Sequence, residues 1–142
     1  MIGKYPAKMD DKNRLFVPAK LRGQLGEAFF VTLGVNCGHR CLTIYTVEDW
    51  QTLENNYNAL PISQRGAATS LIFMNAAECS PDKQFRFSLS QFLLEYAGID
   101  REAIIVGRAG QAEIWAADEF AAFEAENLTP EKLLASLEAI GL

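Results

Sequence analysis

The chain has 142 residues, 49% of them hydrophobic, and a formal net charge of -5. That length supports one compact fold with a shared core and that composition excludes a disordered polypeptide, while no apolar run approaches the roughly 20 residues needed to cross a bilayer. The charge is segregated: residues 1 to 22 carry six basic side chains (Lys4, Lys8, Lys12, Arg14, Lys20, Arg22) against Asp10 and Asp11, whereas from Phe87 onward three basic residues stand against ten acidic ones.

In chain order, residues 2 to 9 read as an edge strand, and Met9 to Arg14 as a tight polar connection into Leu15-Phe16-Val17. Pro18 fits a first helical position, where a missing N–H costs nothing, and Gly26 closes that short helix. Residues 28 to 33 predict a buried strand, with Cys41 to Tyr45 as its hairpin partner across a loop from Gly34 to Arg40. Thr46-Val47-Glu48-Asp49 resembles a capping box and opens a helix whose Trp50, Leu53 and Tyr57 share one face, ended by Leu60-Pro61. A second connector helix is expected from about Ser63 to Asn75.

The plan then repeats. Ala76 to Ser80 is a strand, Asp82 to Arg86 a turn, Phe87 to Leu89 a strand, and Ser90 to Ala97 a helix stopped by Gly98. Ala103 to Val106 and Ala112 to Trp115 form a second hairpin around Gly107 to Gln111. Asp118 opens a helix with Phe120 and Phe123, and Thr129-Pro130 caps a last one bearing Leu133, Leu134, Leu137 and Ile140. That apolar stripe packs either on the connector helices or on a neighbouring subunit.

The two halves are a tandem duplication. Asp10-Asp11-Lys12-Asn13-Arg14 and Asp82-Lys83-Gln84-Phe85-Arg86, 72 positions apart, both read Asp-x-x-x-Arg. At that offset Val17 matches Leu89, Leu21 matches Leu93 and Gly26 matches Gly98; after a two-residue slip Ile44-Tyr45 matches Ile114-Trp115 and Trp50 matches Phe120. Two long copies make a pseudo-dimer rather than a solenoid. The expected organisation is 1–60 as first repeat, 61–75 as connector, 76–126 as second repeat and 127–142 as C-terminal helix.

An Asp four residues before an Arg on a tight turn can accept from backbone N–H groups and from the guanidinium, fixing the fork. A fixed planar fork is what guanine O6/N7 or a phosphate requires, with Lys12 and Lys83 adding charge beside it. An ion pair that simply closes the turn is the plainer reading of either motif alone. Segregated charge implies one face for an anionic partner and another that repels it.

Cys37, Cys41 and Cys79 form an odd set, and Met1 to Tyr5 shows no secretory signal, so reduced thiols in a cytoplasmic protein are expected. Cys37-Gly38-His39-Arg40-Cys41 lacks the second ligand pair of a structural zinc site, and His39 reads as an exposed turn residue. No metal, cofactor, membrane or small-molecule substrate is expected. An enzyme built on Cys79 or on Asp/Glu pairs lacks a nucleophile and base constellation.

The run from Asp10 through Leu15-Phe16-Val17-Pro18-Ala19-Lys20-Leu21-Arg22, its second copy from Ala77 to Arg86, and Glu113-Ile114-Trp115 together resemble the MraZ family of bacterial transcriptional regulators. The resemblance covers Met1 to about Phe123. It implies an α+β, mainly β fold: a pseudo-dimeric swapped-hairpin (AbrB-like) barrel from two tandem βαβ-type repeats with peripheral helices. It also implies binding of double-stranded DNA at short direct repeats in the promoter of the family's own division and cell-wall operon. The binder would be a closed homo-oligomeric ring, an octamer or larger, associated with the nucleoid. Lys8, Asp10, Lys12, Arg14, Asp82, Lys83 and Arg86 are the DNA-binding residues this implies. AbrB-type halves also occur in antitoxins, where such a module grips a protein partner.

Two departures bear on the turns. The family usually has Gly before the Arg, where Asn13 and Phe85 stand here, and often Pro where Ser90 stands. Asn tolerates φ > 0, whereas Phe there costs on the order of 1 kcal/mol or changes the turn. A changed second turn would have a weaker DNA role, with Phe85 a tolerated departure or a contact to a neighbouring chain.

Overall fold

A computed structural model describes residues 1–142. Eight strands and six helices alternate along it. Strand β1 (Ile2–Lys8) leads through the first Asp–Arg turn to β2 (Arg14–Phe16), and a 3-10 turn (Ala19–Leu21) runs into the one-turn helix α1 (Arg22–Leu25). Pro18 is the residue before this helical segment rather than its first member, at φ -56 and ψ 135. Strands β3 (Phe29–Asn36) and β4 (His39–Thr46) form the first hairpin. Helices α2 (Val47–Ala59) and α3 (Ala67–Met74) connect the copies. The second copy follows as β5 (Ala77–Cys79), β6 (Arg86–Ser88), α4 (Gln91–Ala97), β7 (Glu102–Arg108), β8 (Gln111–Ala116) and α5 (Ala117–Asn127), and α6 (Pro130–Ala139) ends the chain.

Several local signals act as their chemistry requires. The Thr46, Ser90 and Thr129 hydroxyls accept from Asp49, Leu93 and Lys132 amides respectively, capping α2, α4 and α6. Gly98 takes the left-handed conformation that ends α4. The first hairpin is tighter than the expected Gly34 to Arg40 loop: Asn36 pairs with His39, leaving Cys37 and Gly38 as a two-residue turn at φ 50 and φ 80. Positive φ at both central residues matches the right-handed twist of the flanking strands. The second connector helix is in two pieces, a 3-10 turn at Ile62–Gln64 and α3, interrupted at Arg65-Gly66.

The copies interlock. The main sheet runs β1-β7-β8-β4-β3-β5, all antiparallel, so each copy's first strand pairs with the other copy: β1 with β7, and β5 with β3. A second, two-stranded ribbon pairs β2 with β6. In it Leu15 faces Phe87, its own repeat-mate, while Arg14 faces Ser88 and Phe16 faces Arg86. Likewise Thr43 of β4 faces Glu113 of β8. A pseudo-twofold axis therefore passes through both ladders. The swapped hairpin is present, but the barrel is not closed: β1 and β5 remain free edges of the six-stranded sheet.

One cluster of 21 buried residues draws on both copies, with Leu15, Leu21, Phe29 and Ile44 against Phe87, Leu93, Ile105 and Ile114. Phe29 and Phe87 meet edge to face at 5.1 Å. Because the core is shared, neither copy can bury its apolar face alone. A smaller cluster (Cys41, Val106, Trp115, Phe120) seats α5 on the sheet. The α6 stripe does not pack on the connector helices: Leu133, Leu134, Leu137 and Ile140 are 40 to 80% exposed. No helix is long and apolar enough to cross a membrane.

Candidate nucleic-acid interface

The two Asp–Arg turns fold identically. Asp10 accepts from the Lys12 and Arg14 amides, each at 2.9 Å, through one carboxylate oxygen, and from Arg14 Nε at 2.7 Å through the other. Asp82 accepts from the Gln84 and Arg86 amides and from Arg86 Nε, all at 2.9 Å. The residue before each Arg lies at positive φ, Asn13 at 56° and Phe85 at 64°. Phe85 thus accepts the strained conformation rather than altering the turn, at a cost of about 1 kcal/mol.

Both carboxyls lie below their ordinary range. At Asp10 desolvation opposes ionisation, but the bonds from Arg14 and Lys12 outweigh it. At Asp82 the Arg86 amide is the largest influence. The carboxylates stay charged and the forks stay oriented at neutral pH.

The ribbon register decides where those forks point. Directly opposed residues share a face, and residues two apart along a strand do too. Leu15 and Phe87 point inward and are buried, so Arg14, Phe16, Arg86 and Ser88 share the outward face. From strand spacing and rise, the two arginine Cα atoms lie about 8 Å apart on a diagonal. A two-stranded ribbon of this width fits the major groove, where paired arginines can read base edges or hold phosphates. Phe16, 51% exposed between them, is an addition that the repeat does not mark, because its repeat-mate is Ser88.

The other predicted residues are spread more widely. Lys12 and Lys83 sit exposed at the tips of the two turns. Lys8 lies at the end of edge strand β1, opposite Glu102, and lines a surface cleft of about 580 Å³ with Lys4, Lys20 and Arg22. Lys4 is taken up by Glu124 of α5 at 2.8 Å, so it brings less free charge than its position in the basic run implies.

One sequence reading changes. His39 is not an exposed turn residue: its side chain is 12% exposed, packs near Trp115 and Phe123, and its ring nitrogens meet Glu119 and Glu126 at 2.6 Å. Those carboxylates, Glu126 first, raise its pKa above the usual 6.5. Its neighbours in the Cys-Gly-His-Arg-Cys run diverge, with Cys37 exposed and Cys41 buried against Glu113. Burial pushes the Cys41 and Cys79 thiols up to about 12, which keeps both protonated and poor nucleophiles at neutral pH.

Comparison with known proteins agrees with the duplication. Residues 1–71, and again 72–135, match the family model described as the MraZ protein, which it likens to antitoxins. The Transcriptional regulator MraZ of Halothermothrix orenii is 34% identical over 144 residues, covering 99% of each chain. Its namesake in Caldicellulosiruptor bescii is 36% identical over 145 residues, covering 100% of this chain and 99% of that one. The protein of that name in Carboxydothermus hydrogenoformans is 41% identical over 116 residues, covering 80% and 79%.

Proposed function

The chain belongs to the MraZ family, and we propose that it is a transcriptional regulator that binds double-stranded DNA sequence-specifically through the β2–β6 ribbon. The observation that carries this reading is the ribbon register, which sets Arg14 and Arg86 on one outward face, each clamped by its own Asp. The membership supports the target class: short direct repeats upstream of the chain's own division and cell-wall operon, read in the cytoplasm at the nucleoid.

A single ribbon offers few base-reading side chains, so affinity is supplied by several ribbons on repeated sites. The assembly is a closed ring of subunits. The exposed stripe on α6 supports a subunit contact, since three apolar side chains in water on one helix, with Ile140 just past its end, call for a partner. The same stripe favours, as a second reading, an antitoxin-like contact with another protein; co-purification of a small partner in place of DNA binding would support that instead.

The test is an electrophoretic shift with DNA from upstream of the coding region. The wild type should shift it in discrete steps as repeats fill, and Arg14→Ala with Arg86→Ala should abolish the shift. Equal binding to scrambled DNA, or binding unchanged in the double variant, would overturn the reading. Light scattering should return a mass well above two chains.

A further inference from the structure

The second turn has a companion that the first lacks. Arg22 opens α1 beside it, with its guanidinium carbon 3.9 Å from the centroid of the Phe85 ring and its Nε donating to the Val17 carbonyl at 3.0 Å. The Val17 amide in turn donates to the Phe85 carbonyl at 2.8 Å, and the Phe85 amide to the Asp82 carbonyl at 2.9 Å. One residue, Val17, thus ties the cation and its aromatic platform together through its own N–H and C=O. No carboxylate pairs with Arg22, and its two terminal nitrogens make no hydrogen bond within the chain. Arg22 lines a surface cleft of about 770 Å³ together with Lys83, Asp82 and Glu27.

At the first turn, the repeat-mate of Phe85 is Asn13 and that of Arg22 is Leu94, which is buried. The stack is therefore an asymmetry of the duplicated fold. An arginine with one face on a ring and one N–H spent presents the remaining edge of its fork already aimed, a geometry suited to a phosphate. Elements flanking a ribbon in the major groove meet the DNA backbone rather than base edges.

We propose that Arg22 is a further DNA-contacting residue that grips a backbone phosphate beside the second turn, with Phe85 as its positioning residue. This rests on the reading of β2–β6 as the DNA-facing ribbon. It also reverses the sequence expectation for Phe85: its positive φ is the geometry that places the ring under Arg22.

Fluorescence anisotropy of the full chain on its upstream duplex and on a scrambled duplex, across salt concentrations, tests this. Arg22→Ala should weaken binding to both duplexes about fivefold and reduce the salt slope by about one. Phe85→Asn keeps a residue that the first turn already holds at φ 56°. It should weaken binding a few-fold when Arg22 is present and add nothing in the Arg22→Ala background. Melting temperatures of both variants check that the fold is kept.

If Arg14→Ala weakens binding while Arg22→Ala changes neither affinity nor slope, the Arg22 assignment is wrong and the ribbon reading stands. If Phe85→Asn costs the same with and without Arg22, its positioning role is wrong. If the wild type binds neither duplex, both readings go together.

Discussion

Replacing Asp10 by Ala separates orientation from charge. Asp10 holds Arg14 by two contacts, the amide at 2.9 Å and Nε at 2.7 Å, and holds the Lys12 amide as well. Removing a carboxylate makes the turn more positive, so attraction to a polyanion alone predicts tighter binding. Orientation predicts the reverse. Released, the Arg14 side chain regains rotamer freedom of about 2 kcal/mol, which must be given up again on the DNA. That amounts to as much as about 30-fold weaker binding per engaged turn. The number of cations is unchanged, so the salt slope should hold. In a double cycle, Asp10→Ala should cost nothing further once Arg14→Ala is present. Anisotropy titrations with upstream DNA provide the assay, and equal or tighter binding by Asp10→Ala would refute the orienting role.

Lys12→Ala and Lys83→Ala, at the exposed turn tips, should each lower the salt slope by about one while leaving the preference for the upstream sequence intact. His39 gives a pH dependence of stability. Its pKa is raised in the fold by Glu126 and Glu119, so its contribution is fully present below the ordinary 6.5 and is lost as pH rises through the raised value. Melting temperature should fall over that window in the wild type and stay flatter in His39→Gln; parallel curves would contradict the clasp. Phe87→Ala removes a side chain 4% exposed on the pseudo-twofold axis and should cost about 3 to 5 kcal/mol in urea unfolding. A cost under about 1 kcal/mol would mean the ribbon is not built over a shared core.

Sequence carried the parts of this fold that local chemistry sets. The two Asp-x-x-x-Arg turns, the Thr46, Ser90 and Thr129 caps and the Gly98 stop all follow from side chains acting on their own backbone. Pairing between the copies was legible only as duplication and family likeness, because exchanging β1 and β5 leaves every local pattern unchanged. In sequence the first hairpin reads as a longer loop, since its tight turn places Cys37 at positive φ, a conformation no preference of cysteine announces. In sequence the connector helix runs on through Arg65-Gly66, whereas in the fold Gly66 caps a new helix.

The site divides along the same line. Each Asp–Arg clamp spans five residues and was visible in the chain. The Arg22–Phe85 stack joins residues far apart in sequence, and the His39 clasp reaches from β4 to α5. Neither leaves a local signature, because both depend on how the interlocked sheet brings distant segments together. The tail charge also had a use that composition hides: Glu119, Glu124 and Glu126 serve His39 and Lys4.

Placing a photoactivatable benzoyl-phenylalanine in turn at Lys12, at Lys83 and at Glu131 of α6 tests the central claim most directly. Irradiation with upstream duplex should cross-link DNA from positions 12 and 83 and not from 131. Cross-links from 131 alone would show that the acidic end meets DNA, and would contradict the assignment of the ribbon as the DNA-binding face.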